Sequence, residues 1–246
     1  MKSIFKRFAG GALAALAILL VSACDSPVGA KGIDGLNSYL VVFNFNDGAT
    51  MPHAAGVVHG DRATAPDNLL ILGDEQNGWA VQAVTAWYVD KAKTNKWNFS
   101  TPVTKNITLY AQLATLQGEW ISEPYKEEFT ITANEFTNSW LFKGDIVNIR
   151  SLSADSGYIT TRFTEILVDE IEDPDSHDDL GRFYVTHFEN LTKDSVDISM
   201  AGFWDGREEP DFAYPERLGG KKTQAAAEAA YTLEENAFRL HSYCFK

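Results

Sequence analysis

The second half of the chain is a succession of short segments in which apolar and polar residues alternate, and this pattern limits the fold more than any other feature. Alternation places every second side chain on one face, as in a half-buried β-strand. With a short first strand at Trp120, eight strands are predicted, the others at 129–133, 136–142, 145–152, 158–168, 181–188, 195–203 and 237–245. Eight antiparallel strands can close a barrel that is filled by side chains or holds one small ligand. A sandwich of two sheets is the alternative.

One helix interrupts this β pattern near the end of the chain. Residues 225–231 are rich in Ala, the strongest helix former, and Gly219-Gly220 precede them. Thr223 is the predicted N-terminal cap, since a Thr hydroxyl can accept a hydrogen bond from the first turn.

The segment 39–113 carries strand patterns of its own. Strands are predicted at 39–45, 55–59, 86–88, 96–99 and 107–113, with a less regular stretch in the middle. Asp47-Gly48 predicts a tight hairpin turn after the first strand, because this dipeptide accepts positive φ values. Trp79, Trp87 and Trp97 are predicted to lie in the core, since large aromatic side chains dominate small cores.

This segment resembles the internalin-type B-repeat, or Listeria-Bacteroides repeat, of secreted and surface proteins. The resemblance rests on Asn46-Asp47-Gly48, Gly60-Asp61, Ala63-Thr64-Ala65-Pro66, Trp87-Tyr88, Phe99-Ser100-Thr101-Pro102-Val103 and Ile107-Thr108-Leu109-Tyr110-Ala111. It implies a small β-grasp-like module that serves as a spacer or binding surface. The stretch 68–86 is longer than in that family, so a helix or a loop there stays open.

The second half has a resemblance of its own. Gly118-Glu119-Trp120 is similar to the Gly-x-Trp start of lipocalins, and the whole region resembles the lipocalin-like (calycin-type) domain of spirochaete (treponemal) lipoproteins. Phe183-Tyr184-Val185, Leu191-Thr192 and the stretch 231–244 contribute to this likeness. It implies a barrel in preference to a sandwich.

The first 23 residues follow the pattern of an export signal. Lys2, Lys6 and Arg7 precede an uncharged run at 8–21, which is shorter than the roughly 20 residues that span a bilayer. Leu20-Val21-Ser22-Ala23-Cys24 resembles the lipobox of bacterial lipoproteins. The resemblance implies cleavage between Ala23 and Cys24 and lipidation of the Cys24 thiol. A plain cleaved signal with a chance Cys is the alternative, and the membrane leaflet stays open.

Lipidation of Cys24 would leave Cys244 without a partner in the chain, since these are the two cysteines. An unpaired Cys in an exported protein is either buried or reactive. We predict that Cys244 is buried and inert, because it lies on the alternating face that also carries Phe238 and Leu240.

Charge excludes one class of partner. The chain of 246 residues has 21 Lys and Arg against 34 Asp and Glu, and the part from Gln117 onward has 12 against 26. Phosphate backbones would be repelled, so no nucleic-acid partner is expected. The densest acidic run lies at 165–179, where Asp173, Asp175 and His177 have the alternate spacing of a calcium loop. A solvated hairpin loop is the alternative for this run.

Motifs of catalysis are missing from the sequence. It contains no Gly-x-Ser-x-Gly, His-Glu-x-x-His, Gly-x-Gly-x-x-Gly or Cys-x-x-Cys pattern. No catalytic residue, metal site or cofactor is therefore predicted. A hydrolase would require a Ser or His clustered with a carboxylate in a cleft, which geometry alone can reveal.

These patterns divide the chain into a lipoprotein signal peptide at 1–23, a flexible tether at 24–38, a B-repeat-like module at 39–116 and a barrel domain at 117–246. The predicted fold is mainly β: a β-grasp-like module, then an antiparallel lipocalin-like barrel with one helix. We expect an exported, non-catalytic binding or display protein, anchored through Cys24 to the lipid of the bacterial cell membrane or outer membrane. Its partner would be a protein or a small apolar ligand. The alternative function is a carrier of a small apolar ligand inside the barrel.

Overall fold

The protein is mainly β in its computed structural model, which describes residues 37–66, 69–123, 126–167, 179–201, 220–234 and 238–246. Five strands form a first sheet: β1 (Ser38–Asn44), β2 (His53–Val58), β3 (Leu70–Asp74), β4 (Gly78–Tyr88) and β5 (Ile107–Thr115). The other strands are β6 (Gly118–Glu123), β7 (Glu128–Ile131), β8 (Glu135–Asn138), β9 (Phe142–Ser151), β10 (Gly157–Ile166), β11 (Phe183–Glu189), β12 (Ser195–Ala201) and β13 (Phe238–Phe245). The helix α1 (Gln224–Ala230) lies between β12 and β13 in the chain.

The first sheet is a curled half-barrel with the strand order β2-β1-β5-β4-β3. Its first two strands confirm the predicted ones at 39–45 and 55–59, but the prediction of a tight hairpin turn at Asp47-Gly48 was wrong. Eight residues, 45–52, separate β1 from β2. Positive φ values occur at Asn46 and Gly48, and Asp47 Oδ1 accepts hydrogen bonds from the backbone N–H groups of Ala49 (3.1 Å) and Thr50 (2.9 Å). The carboxylate therefore organises a wider loop than the dipeptide indicates.

The middle of the first sheet differs from the sequence prediction. The sequence left two alternatives, a helix or a loop, for the stretch 68–86, but this stretch contains β3 and most of β4. The two strands pair antiparallel, from Leu70 opposite Gln82 to Asp74 opposite Gly78. The strand predicted at 96–99 was wrong, because only Lys96 forms a bridge, with Tyr88. Asn98 Oδ1 accepts a hydrogen bond from the Ser100 N–H (2.9 Å), so the chain turns there and does not continue as a strand.

The eight remaining strands form a closed antiparallel barrel in the order β10-β11-β12-β13-β6-β7-β8-β9. This confirms the number of strands and the barrel, and it excludes the sandwich. The register between β9 and β10 shifts between Thr160 and Thr161 and again between Phe163 and Glu165. Bulges of this kind increase strand twist and bend, which helps a sheet to close on itself.

The predicted helix is confirmed as α1. Thr223 has an extended backbone and its side chain accepts a hydrogen bond from the Ala226 N–H, so it caps the helix as predicted. Ala227 is buried, and the Tyr231 N–H donates to the Ala227 carbonyl at the end of the helix.

The chain divides into two compact units. Among the described residues, the smaller unit contains 37–42, 54–64 and 98–108, where His59 N–H donates to the Asn37 carbonyl (2.8 Å) and Gly60 N–H to the Val103 carbonyl (3.0 Å). The larger unit contains the described residues of 43–53, 65–97 and 109–246.

One hydrophobic core runs through the larger unit. It includes Val81 of β4 and Leu116, together with Trp120 and the barrel residues around it. The indole N–H of Trp79 donates to the Ile146 carbonyl (3.2 Å), which links β4 to β9.

The predicted core position of the tryptophans is confirmed for Trp87, which is buried against Phe43 (ring centres 5.0 Å apart) and Phe45 (5.5 Å). Trp79 is half-buried and packs against the core of the larger unit. Trp97 is half-buried, and its backbone N–H donates to the Trp87 carbonyl (2.7 Å).

Candidate functional site

The predicted lipidation and cleavage site, Ala23 and Cys24, lies outside the described residues, as does most of the acidic run at 165–179. At the two ends of that run, Glu165 pairs with Lys143 (2.9 Å) and Asp179 bonds to the Tyr184 hydroxyl. Within the part of the chain that the structure describes, no group of three or more His, Cys, Asp or Glu residues could hold a metal ion. In the same part, no helix has the length and apolar character needed to cross a bilayer.

Aromatic rings occupy much of the barrel interior. Each ring contacts the next across neighbouring strands, with ring centres 6.1 Å apart or less. We call this series the aromatic chain; it consists of Phe129, Phe136, Phe142, Phe163, Tyr184 and Tyr231. All of its members are buried. The aromatic chain links β7, β8, β9, β10 and β11 to the end of α1, so large side chains fill this part of the barrel.

A buried carboxylate closes one end of the aromatic chain. Asp179 accepts a hydrogen bond from the Tyr184 hydroxyl and another from the Gly220 N–H (3.1 Å). Burial, followed by the hydrogen bond to Asp179 and its charge, raises the pKa of Tyr184, so this hydroxyl stays protonated and donates. The hydrogen bond between Gly220 and Asp179 joins the backbone segment just before α1 to the segment just before β11.

Polar groups also lie inside the barrel, and we call them the interior polar cluster: Ser122, Glu127, Asn138, Ser242 and Cys244. Asn138 Nδ2 donates to Glu127 Oε1 (2.6 Å), and the Ser242 hydroxyl lies 3.5 Å from Glu127 Oε2. The Ser122 hydroxyl is buried and has no hydrogen-bond partner among the described residues. A few polar groups that converge in an apolar interior are typical of a binding site.

Cys244 confirms the prediction of a buried thiol. It is a free cysteine with no exposed surface, opposite Ser122 in the register of β13 and β6. Burial, with the charges of Glu127 and Asp197, raises the pKa of Cys244 to about 12. The thiolate is therefore absent near neutral pH, and a nucleophilic role for this residue has no support.

Glu127 gives the interior polar cluster a dependence on pH. Burial raises the pKa of Glu127 above its usual value despite the hydrogen bonds from Asn138 and Ser242. A raised carboxyl pKa means that the folded chain favours the protonated form of Glu127. The contribution of this group to the free energy of unfolding is therefore complete at acidic pH and is lost as pH rises through the folded-state pKa. We expect Glu127→Gln, a neutral side chain of the same shape, to raise the melting temperature by a few degrees near pH 7.5 and to leave it unchanged near pH 4.

Thermal unfolding at several pH values would test this, with Glu128→Gln as the matched control. Glu128 is the next residue but is exposed, so its replacement is expected to have no pH-dependent effect. A Glu127→Gln variant that is less stable than the native chain near neutral pH would contradict the prediction.

A second set of polar residues follows one row across five strands on the outer face of the barrel. Register pairs Arg150 with Tyr158, Tyr158 with His187, His187 with Ser199, and Ser199 with His241. We call these five positions the outer polar row. Tyr158, His187 and Ser199 alternate with core residues such as Ile159 and Ile198, so they lie on the opposite face of the strands. Tyr158, His187 and Ser199 are nevertheless buried.

The helix α1 covers part of this outer face. Glu228 Oε1 accepts hydrogen bonds from Asn148 Nδ2 (2.8 Å) and the Thr160 hydroxyl (3.0 Å), which form a register pair on β9 and β10. Just after the helix, the Leu233 N–H donates to the Tyr158 hydroxyl (3.3 Å). These contacts explain how side chains outside the barrel become buried.

Sequence reasoning missed the outer polar row because its members come from five separate strands. The alternation of residues could place each side chain on a face, but only the register shows which positions are neighbours. The row brings His187 and Ser199 to paired positions, which is one part of what a hydrolase would require. A hydrolase would also require a carboxylate that is hydrogen-bonded to the imidazole of the histidine.

Apolar side chains are exposed on β6 and β13, on the outer face of the barrel. Ile121 and Phe245 are a register pair, and Tyr243 lies two residues from Phe245 on the same face. We call these three the exposed ridge; 44% to 57% of each residue is accessible to solvent. Three acidic residues are their partners in the register: Glu123, Glu128 and Asp197. The exposed ridge is therefore an apolar surface with acidic neighbours.

Comparison with known proteins identifies the first sheet. Residues 39–112 match the model of the Listeria-Bacteroides repeat domain, which spans β1 to most of β5. No curated protein and no solved structure matches the chain. The predicted resemblance of this segment is thus confirmed, whereas the lipocalin likeness of the second half stays a prediction. The chain carries a Listeria-Bacteroides repeat domain at residues 39–112, followed by an eight-stranded antiparallel β-barrel.

Proposed function

We propose that this protein is a lipid-anchored display protein of the bacterial cell envelope, which presents non-catalytic binding surfaces outside the cytoplasm. The observation that carries the proposal is the Listeria-Bacteroides repeat domain at 39–112, a domain type that is typical of bacterial surface proteins. The segment before it ends in the lipobox-like Leu20-Val21-Ser22-Ala23-Cys24. A domain joined to such a segment by the short tether at 24–38 would stay at the membrane through the lipid on Cys24.

The barrel supports a display role because aromatic side chains pack a large part of its interior. The aromatic chain crosses five strands and reaches α1, and Phe163 at its centre is stacked between Phe142 (4.0 Å) and Tyr184 (4.5 Å). A filled barrel is a rigid scaffold, and rigid scaffolds present surface residues at fixed positions. The exposed ridge is the surface that we propose for contact with a basic protein partner.

Replacement of Cys24 by alanine tests the anchor. Each buried methylene contributes about 0.8 kcal/mol, so two or three acyl chains bind a membrane stably. Without these acyl chains, membrane attachment is expected to be almost completely lost. We expect Cys24→Ala to remove the protein from the processed membrane fraction and leave an unprocessed or soluble form. Globomycin, which blocks cleavage of lipoprotein signals, is expected to give an unprocessed form of the native chain.

The matched control is Cys244→Ala. That thiol is buried inside the barrel, so this variant is expected to be processed and to stay in the membrane fraction. Protease treatment of intact cells, followed by detection of the barrel, would show whether the anchored chain faces outward or toward the periplasm. An unchanged membrane fraction for Cys24→Ala would overturn the proposed anchor.

The interior polar cluster favours a second candidate, a carrier of a small apolar ligand. The Ser122 hydroxyl and the carboxyl of Glu127 would bind the polar end of such a ligand, with the apolar part among the surrounding core residues. Native mass spectrometry of the purified chain, with organic extraction, separates the two candidates. The display proposal predicts the mass of the chain alone, and a stoichiometric extracted molecule would favour the carrier.

A further inference from the structure

Arg150, at the end of the outer polar row, has two nitrogens that are buried without an acceptor. Its Nε and Nη2 atoms have no hydrogen-bond partner among the described residues. These two N–H groups lie on the same edge of the planar guanidinium, and this edge forms two parallel hydrogen bonds with a carboxylate. Buried polar groups in native proteins are generally paired, so an edge with two unpaired N–H groups is a candidate for binding an acceptor.

We propose that the Nε–Nη2 edge of Arg150 is a binding site for the carboxylate of a small organic acid. The two carboxylate oxygens would each accept one N–H, which is the bidentate geometry that arginine provides and lysine does not. The site is independent of the anchor at Cys24 and of the interior polar cluster.

Neighbouring residues position the guanidinium for this role. Its central carbon lies 4.9 Å from the centre of the Tyr158 ring, so the cation rests on an aromatic face. The Tyr158 hydroxyl accepts a hydrogen bond from the Leu233 N–H. The ring of His187, the register partner of Tyr158 on β11, lies 5.5 Å from the Tyr158 ring. Tyr158 is therefore held from two directions and limits how Arg150 can turn, which is the preorganisation that a specific site needs.

The charges around Arg150 favour a monoanion. Burial opposes the ionisation of Glu228, but the hydrogen bonds from Asn148, Gln224 and Thr160, followed by the positive charge of Arg150, lower its pKa. Its Oε1 accepts those three hydrogen bonds, at 2.8 to 3.0 Å, and none comes from Arg150. Glu228 thus balances part of the charge and leaves the Nε–Nη2 edge without an acceptor among the described residues. A phosphate dianion would add a second negative charge beside this carboxylate and would be repelled.

Saturation-transfer NMR with sodium acetate as the probe tests the site on the full-length chain in detergent. Acetate offers the carboxylate alone, and acetamide has the same shape without the charge. We expect a saturable signal from acetate, no signal from acetamide, and no displacement of acetate by phosphate at matched ionic strength. No saturable acetate signal, or an equal signal from acetamide, would overturn the proposal, and so would displacement by phosphate.

Three variants locate the signal. Arg150→Lys keeps the positive charge but cannot form the bidentate hydrogen bond, and Arg150→Gln loses both the charge and the bidentate hydrogen bond. Each variant is therefore expected to weaken acetate binding at least about tenfold. Arg162→Gln is the matched control: this arginine lies on β10, is exposed and pairs with Asp145 (2.7 Å), so binding is expected to be unchanged. Circular dichroism would show whether each variant is folded. If the Arg150 variants fail to fold, the comparison of acetate with acetamide on the native chain decides whether the protein binds a carboxylate. Equal binding by the native chain and a folded Arg150→Gln variant would refute the assignment.

Discussion

Replacement of Phe163 by alanine is expected to lower the free energy of unfolding by about 3–5 kcal/mol. Phe163 is buried in the middle of the aromatic chain, with ring centres 4.0 Å from Phe142 and 4.5 Å from Tyr184. Alanine would remove the ring and leave a cavity between two rings that are fixed by their own strands. The surroundings cannot collapse easily into that cavity, because β9 and β10 are locked by the barrel register.

Urea denaturation of the native chain and the variant would measure this loss. Phe245→Ala is the control of the same chemistry, since Phe245 lies on the exposed ridge and 46% of it is accessible. Its replacement is expected to change the free energy of unfolding by less than about 1 kcal/mol. Similar losses for the two variants would mean that the aromatic chain is not the core of the barrel.

The second large effect is expected from Gly73→Ala in the hairpin of β3 and β4. Gly73 has a φ of +86°, and a Cβ at this position would lie 1.8 Å from the Gly78 carbonyl oxygen. The left-handed conformation alone costs a non-glycine residue about 1–2 kcal/mol. The contact is with backbone, so the hairpin would have to move, and overpacking of this kind costs about 1–3 kcal/mol more.

Gly60→Ala separates these two costs. Gly60 has nearly the same φ, +88°, but a Cβ there would meet no atom within 4 Å. Its replacement is therefore expected to cost only the conformational part. Thermal unfolding of both variants would show the difference, and equal losses would indicate that the hairpin absorbs the contact without strain.

The sequence determined the strands of the barrel more reliably than those of the first sheet. Alternation in segments such as 195–201 is a local property, since every second side chain must face the core, and it needs no knowledge of partners. The first sheet broke this rule at β3, where Leu70-Ile71-Leu72 is a continuous apolar run that does not alternate. A short apolar run fits a helix, a strand or a loop equally well, so only pairing with β4 decided its structure.

The candidate sites show the same division. Cys24 is predicted as a lipidation site from the sequence alone, because a lipobox is a continuous motif. Arg150 could not be found in this way, because a site on a sheet combines residues from several strands. Its significance depends on the ring of Tyr158 beneath it and on the segment around Leu233 that bonds to that ring.

By itself, the sequence determined the fold class, the number of barrel strands, the helix with its Thr223 cap and the burial of Cys244. Each follows from the period of the side chains or from contacts between residues close in the chain. The tertiary structure decided which positions became neighbours: the aromatic chain, the interior polar cluster and the outer polar row. The physical reason is that register depends on the packing of all the strands together, and a shift by one residue would have moved every one of these side chains to the other face.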